Sequence, residues 1–185
     1  MRFCSFALII LFASVMLAGQ APTPEKVHRD GFSIIGIEAR TSNAREMSGQ
    51  GVIPAQWQKW QNRLTATTKQ PDVRAADGDL YAVYTDYASD RNGEYSFLIG
   101  VKADEGASVL AGMVRKKIPA GDYALIRSDK GPVSKVVIAA WQRVWALEDK
   151  AQLGGPRAYR ADFEVYGPGS VDPQNSQVDL YVGLK

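Results

Sequence analysis

Cysteine and histidine are almost missing from this chain, with one of each in 185 residues, Cys4 and His28. Cys4 lies inside an apolar N-terminal run, and His28 lies in the polar stretch after it. Beyond that run the sequence offers no thiol nucleophile, disulfide or thiolate metal site. A lone histidine also excludes the ordinary Ser-His and Cys-His catalytic pairs and the common zinc sites. No cofactor or metal is expected. Net charge is scarce as well: Lys and Arg number 22 against 20 Asp and Glu, a formal balance of +2. That balance provides no basic surface for nucleic acid and no charged tail, so no nucleic-acid partner is expected.

Long apolar runs are also few. The one that stands out, Phe3 to Ala18, follows a positive start at Met1-Arg2 and precedes Gly19-Gln20-Ala21. It is short for a membrane span and has the build of a secretory signal peptide over residues 1–21. Pro22 disfavours cleavage directly after Ala21. Cys4 stands at the front of the run rather than behind it, which argues against a lipoprotein. The expectation is a periplasmic or secreted protein with no stable membrane insertion after cleavage. Residues 22–31 are polar and contain proline, and read as a linker. His28 would be a solvated linker residue, outside the repeated part of the chain, which disfavours haem ligation through it. Residues 32–185 are enough for one domain with a real core, and a content of 45% hydrophobic and 23% charged residues suits a globular protein.

What is present is a repetition. Ile53-Pro54-Ala55-Gln56-Trp57-Gln58-Lys59-Trp60 returns as Val137-Ile138-Ala139-Ala140-Trp141-Gln142-Arg143-Val144. Tyr81-Ala82-Val83-Tyr84 returns as Phe163-Glu164-Val165-Tyr166, and Phe97 to Lys102 returns as Leu180 to Lys185. Order, an offset of about 83 residues and residue character are all kept. The domain is therefore expected to be a pseudo-symmetric pair of halves, about 32–105 and 111–185. A groove between such halves is a natural ligand site.

Within the first half, Phe32 to Arg40 reads as a strand and Thr41 to Gly51 as a loop. Ile53, Trp57, Trp60 and Leu64 fall on one helix face, and 65–79 reads as a polar loop. Leu80 to Tyr87 and Glu94 to Lys102 are strands joined through Asp90-Arg91-Asn92-Gly93, an Asn-Gly turn signature. In the second half, Met113 to Arg127 carries a strand bent at its start by Pro119-Ala120-Gly121. Gly131-Pro132 opens a helix with a stripe of Val133, Val136, Val137, Ala140, Trp141 and Val144. Tyr159 to Tyr166 and Val178 to Leu184 complete it, with a longer loop, Pro168 to Ser176, between them. The pattern predicts an α+β fold: duplicated β-α-β-β halves, antiparallel sheet, two main helices and a central cleft.

One break in the symmetry marks the candidate site: Glu164 stands where the first copy has Ala82. Strand alternation puts Phe163 and Val165 on one face, expected to pack on a helix, and Asp162, Glu164 and Tyr166 on the other. Tyr84 would come from the matching strand. A carboxylate among aromatic rings can attract a cationic, apolar ligand, with each ring face adding about 0.5–2 kcal/mol of cation–π attraction. It can equally act as a general acid or base with a raised pKa. A glutamate on a solvated sheet face is the bland alternative. Trp57, Trp60 and Trp141 lie on the helix stripes, where core packing is the default, while Trp145 lies at the stripe's edge and could border a cavity.

These residues resemble a known family. The duplicated halves, Asp162-Phe163-Glu164-Val165-Tyr166 and the closing Val178-Asp179-Leu180-Tyr181-Val182-Gly183 look like the GyrI-like, AraC-type effector-binding domains. Tyr87 to Gly100 is most similar to their stand-alone, integron-associated branch, and the likeness spans about residues 32–185. It implies a hydrophobic cleft in which Glu164 binds cationic, often aromatic, ligands, with Tyr166, Tyr84, Trp57, Trp141 and Trp145 as walls. Some members hydrolyse reactive small molecules and others bind proteins, so a hydrolase using the same glutamate and a protein-interaction module stay open. The family's association with cytoplasmic regulators contrasts with the export signal, and no helix-turn-helix segment is found.

Overall fold

The computed structural model describes residues 24–66 and 78–185. The expected signal peptide, most of the polar loop at 65–79 and the side chain of Leu64 lie outside the described residues. Among the described residues eight strands form one antiparallel sheet: β1 (Glu25–Arg29), β2 (Phe32–Ser42), β3 (Leu80–Thr85), β4 (Glu94–Ala103), β5 (Val114–Ile118), β6 (Gly121–Arg127), β7 (Arg157–Tyr166) and β8 (Asp179–Leu184). Short α1 (Asn43–Met47) and longer α2 (Ile53–Ala66) follow β2, and α3 (Val133–Asp149) follows β6. The fold is α+β, as expected.

The strand order is β1-β6-β8-β7-β3-β4-β2-β5. Exchanging the halves leaves this order unchanged, so the sequence repeat is a two-fold pseudo-symmetry of the sheet. Each half has one more strand than the sequence pattern suggested, and that strand lies on the other half: β1 pairs with β6, and β5 with β2. Within the stretch read as a linker, Glu25–Arg29 is thus a strand, and Met113 to Arg127 holds two strands rather than one. Both were illegible for one reason. An edge strand tolerates charged side chains, so Glu-Lys-Val-His-Arg and Val-Arg-Lys-Lys-Ile carry charges where a central strand would be apolar. His28 is exposed on β1, opposite Asp122, whose Oδ1 is 2.9 Å from its Nδ1. The loop read at 41–51 likewise contains α1, whose N-cap is Ser42. The β3–β4 connection runs from Asp86 to Gly93, longer than a two-residue hairpin.

One face of the sheet carries the helices. Ile53, Trp57 and Trp60 pack over Ile37, Ala82, Phe97 and Ile99. Val133, Val137, Trp141 and Trp145 pack with Val144 over Ala124, Ile126, Leu180 and Val182. Among the described residues the other face carries no helix, yet Ile34, Tyr81, Val83, Leu98, Tyr123 and Phe163 are buried there with Val165 beside them. The expectation that Phe163 and Val165 pack on a helix is thus corrected: the helices lie on the Glu164 face. Curvature does the burying. Phe32 and Phe163 lie three strands apart in the sheet, roughly 14 Å if it were flat, but their ring centroids are 5.3 Å apart. Glycines permit the bend: Gly36 faces Gly100 across β2–β4, and a Cβ on Gly36 would lie 2.0 Å from the Ile99 carbonyl oxygen.

Candidate functional site

Over the central β3–β7 pair, α2 and α3 leave a cleft of about 450 Å³ between them. All six residues singled out in the sequence line it: Glu164, Tyr166, Tyr84, Trp57, Trp141 and Trp145. Trp60, on the same stripe as Trp57, is core, with 3% exposure. α2 brings Trp57 and α3 brings Trp141 and Trp145 to the cleft, and strand alternation delivers Tyr84, Glu164 and Tyr166 to the same face.

Glu164 forms the floor and is 1% exposed. Three neutral groups donate to its carboxylate: Tyr84 hydroxyl to Oε1 at 2.7 Å, Trp141 indole N–H to Oε1 at 2.6 Å, and Tyr166 hydroxyl to Oε2 at 2.5 Å. Burial pushes its pKa up from the ordinary 4.5, and the three hydrogen bonds offset this only in part. Burial and the adjacent carboxylate hold Tyr84 and Tyr166 well above 10, so both keep their protons and remain donors. Among the described residues no Lys, Arg or His pairs with Glu164.

A cation does line the cleft. Arg157, 6% exposed, is committed elsewhere, 2.6 Å from the Oδ2 of fully buried Asp162 and 3.4 Å from the Oε2 of Glu148. Its guanidinium lies over the Tyr159 ring at 4.4 Å. Tyr87 donates to the same Asp162 oxygen at 2.6 Å. Asp162 Oδ1 accepts from the Gly183 N–H at 2.8 Å, so both carboxylate oxygens are used. This network was not foreseen. Five residues apart, Arg157 and Asp162 would sit on opposite faces of a regular strand, but a register shift between them brings them together.

On the opposite wall, Asn43, Glu46 and Met47 of α1 border the cleft with Ile53 and Pro54 of α2. Glu46 accepts from the N–H groups of Val52 (2.9 Å) and Ile53 (3.3 Å), satisfying donors at the start of α2. The glycine at 51 gives that carboxylate room, since a Cβ there would lie 2.1 Å from its Oε2. Tyr95 also lines the cleft and donates to Asn43 Oδ1 at 3.0 Å. The acidic residue seven places before a helix start was the available cue for this wall. Among the described residues no cluster of His, Cys, Asp or Glu could hold a metal, and no helix is long and apolar enough to cross a membrane.

Two repeated halves enclosing one aromatic, ligand-sized cleft define an effector-binding domain. Residues 27–184 match the family model for integron-associated effector binding proteins, and the chain belongs to that family. It is 34% identical over 160 residues to YobU of Bacillus subtilis, described as a candidate transcriptional regulator, covering 85% of this chain and 95% of that protein. It is 30% identical to the transcriptional regulator BrlR of Pseudomonas aeruginosa, covering 85% of this chain but about half (54%) of BrlR. The family is thus related to transcriptional regulators. Among solved structures, an integron cassette protein from the mobile metagenome of Vibrio cholerae superposes with a TM-score of 0.65 at 26% identity, covering 88% and 96% of the two chains. SAV2435 bound to tetraphenylphosphonium shares the fold, with a TM-score of 0.65 at 17% identity and coverage of 88% and 93%.

Proposed function

We propose that this protein is an exported binding domain for an amphipathic cation, with Glu164 as counter-charge and Tyr84, Tyr166, Trp57, Trp141 and Trp145 as aromatic walls. One observation carries the reading. The Glu164 carboxylate is sunk at the floor of an apolar cleft, is hydrogen-bonded only by neutral donors, and meets no cation among the described residues. A buried charge without a partner is costly, and a ligand cation supplies the partner. The surrounding ring faces add attraction for the same charge. The tetraphenylphosphonium held by SAV2435, which shares the fold, is a ligand of this chemistry.

The test is a titration of tetraphenylphosphonium followed by tryptophan fluorescence, in the wild type and in Glu164→Gln. Loss of a buried charge partner should weaken binding at least about tenfold. Equal affinities would overturn the charge role. Mass spectrometry of reactive small molecules incubated with the protein checks for turnover, and products that disappear in Glu164→Gln would assign a hydrolase instead. Export is tested by N-terminal sequencing of the protein from the periplasm or medium. A start close to residue 22 is expected, and intact Met1 in the cytoplasm alone would remove that part.

A further inference from the structure

We infer that the cleft holds its ligand on the pseudo-two-fold axis, and that the ligand it fits is a cation with its charge midway between two equivalent apolar arms. This rests on the cation-binding reading above and adds where the charge sits and how the ligand is divided around it.

The axis can be located from the ladder. Ala82 and Glu164 occupy equivalent places in the repeat, and they are also direct partners across β3–β7. An operation that exchanges the halves exchanges these two residues, so the axis passes between them. Tyr84 pairs with Asp162 and Tyr166 with Leu80, so the two tyrosines stand the same distance from the axis on opposite sides. Opposed side chains on one sheet face start roughly 5 Å apart. The Ala82 and Glu164 side chains therefore point into the same buried space. Two carboxylates there would repel each other in a low dielectric, and the sequence has one carboxylate and one methyl. The break in the repeat falls where exact symmetry would be least tolerable.

Around that point the symmetry is kept. Tyr84 meets Trp141 edge-on, with centroids 4.9 Å apart at 67°. Tyr166 meets Trp57 at 5.0 Å and 69°. Each pair takes its tyrosine from one half and its tryptophan from the other. Each tyrosine donates to a different oxygen of Glu164. The charge thus lies on the axis between two matching aromatic walls, and an ammonium or phosphonium centre with two like arms meets both walls at once.

Two consequences can be measured. Because the axial space is shared, either strand should be able to supply the carboxylate. Glu164→Ala should abolish cation binding, and adding Ala82→Glu should restore it to within about tenfold, whereas Ala82→Gln on the same background should not. Second, the wild type should prefer dibenzyldimethylammonium over its isomer (4-phenylbenzyl)trimethylammonium by about three- to tenfold, the weight of one aromatic contact. The isomers share charge and atoms and differ only in having two arms or one. This comparison needs no variant, and it decides the matter if the exchanged protein does not fold. Glu164-dependent cation binding with no isomer preference, or with a folded exchange variant that does not bind, overturns the axial inference and leaves the cation reading standing. No cation binding by the wild type overturns both.

Discussion

At Glu164 two opposing effects meet. Burial favours the protonated carboxyl, three donated hydrogen bonds favour the carboxylate, and burial prevails, so the pKa is raised. In the folded protein the group then holds its proton over a window above 4.5 in which the unfolded chain has already released it. Proton uptake is greater in the native state there, so stability falls as pH rises through the window and is greatest below it. A bound cation favours the ionised form, so affinity should move the opposite way and strengthen as pH rises through the same window. Urea unfolding of wild type and Glu164→Gln across pH checks the first statement. The wild type should lose stability over that interval relative to the variant, and parallel curves would contradict it. The placement of this residue could be read from strand alternation and the broken repeat. The same alternation puts Tyr166 beside it, whereas the hydrogen bonds from Tyr84 on β3 and Trp141 on α3 could not be read, because they depend on how separate elements pack.

Among the elements, β7 is the one whose irregularity matters most. Tyr159 adopts a left-handed conformation, with φ of 52°, just where the β7–β8 register shifts. The shift turns Arg157 onto the face that Asp162 shares with Glu164, and there its ion pair with Asp162 at 2.6 Å holds it. Asp162→Ala would leave a buried guanidinium without its main partner and would remove the acceptor for Tyr87. A loss of about 3–5 kcal/mol is expected in chemical denaturation. Replacing both members of the pair, Arg157→Met with Asp162→Leu, should cost much less, because no charge is then stranded. Alternation cannot anticipate such a contact. A bulge changes the parity of the strand, and a left-handed tyrosine carries no compositional mark.

For the whole molecule, the exchanged edge strands decide how the halves depend on each other. β1 leaves its own half and covers the edge of β6, and Val27 joins the helix-free core. Removing residues up to Asp30 should therefore weaken the second half, though the missing strand belongs to the first. A loss on the order of 1–3 kcal/mol follows from the partly buried valine and the lost ladder. Hydrogen exchange should show lowered protection along β6. Unfolding should remain a single transition, because residues of both halves interlock around Phe163. Unchanged exchange along β6 would show that β1 does not support it.

By itself the sequence determined which segments are central strands and long helices, that they come in two copies, and that Glu164 shares a face with Tyr166. Those properties are written in local periodicity and in self-similarity, both of which depend on neighbours along the chain. Tertiary structure alone decided that the edge strands change places, that the helices cover the Glu164 face while Phe163 is enclosed by the curled sheet, and that Arg157 is tied to Asp162. It also decided that Ala82 and Glu164 oppose each other on the axis. Each of these depends on the register and curvature between strands far apart in sequence, which no local pattern encodes.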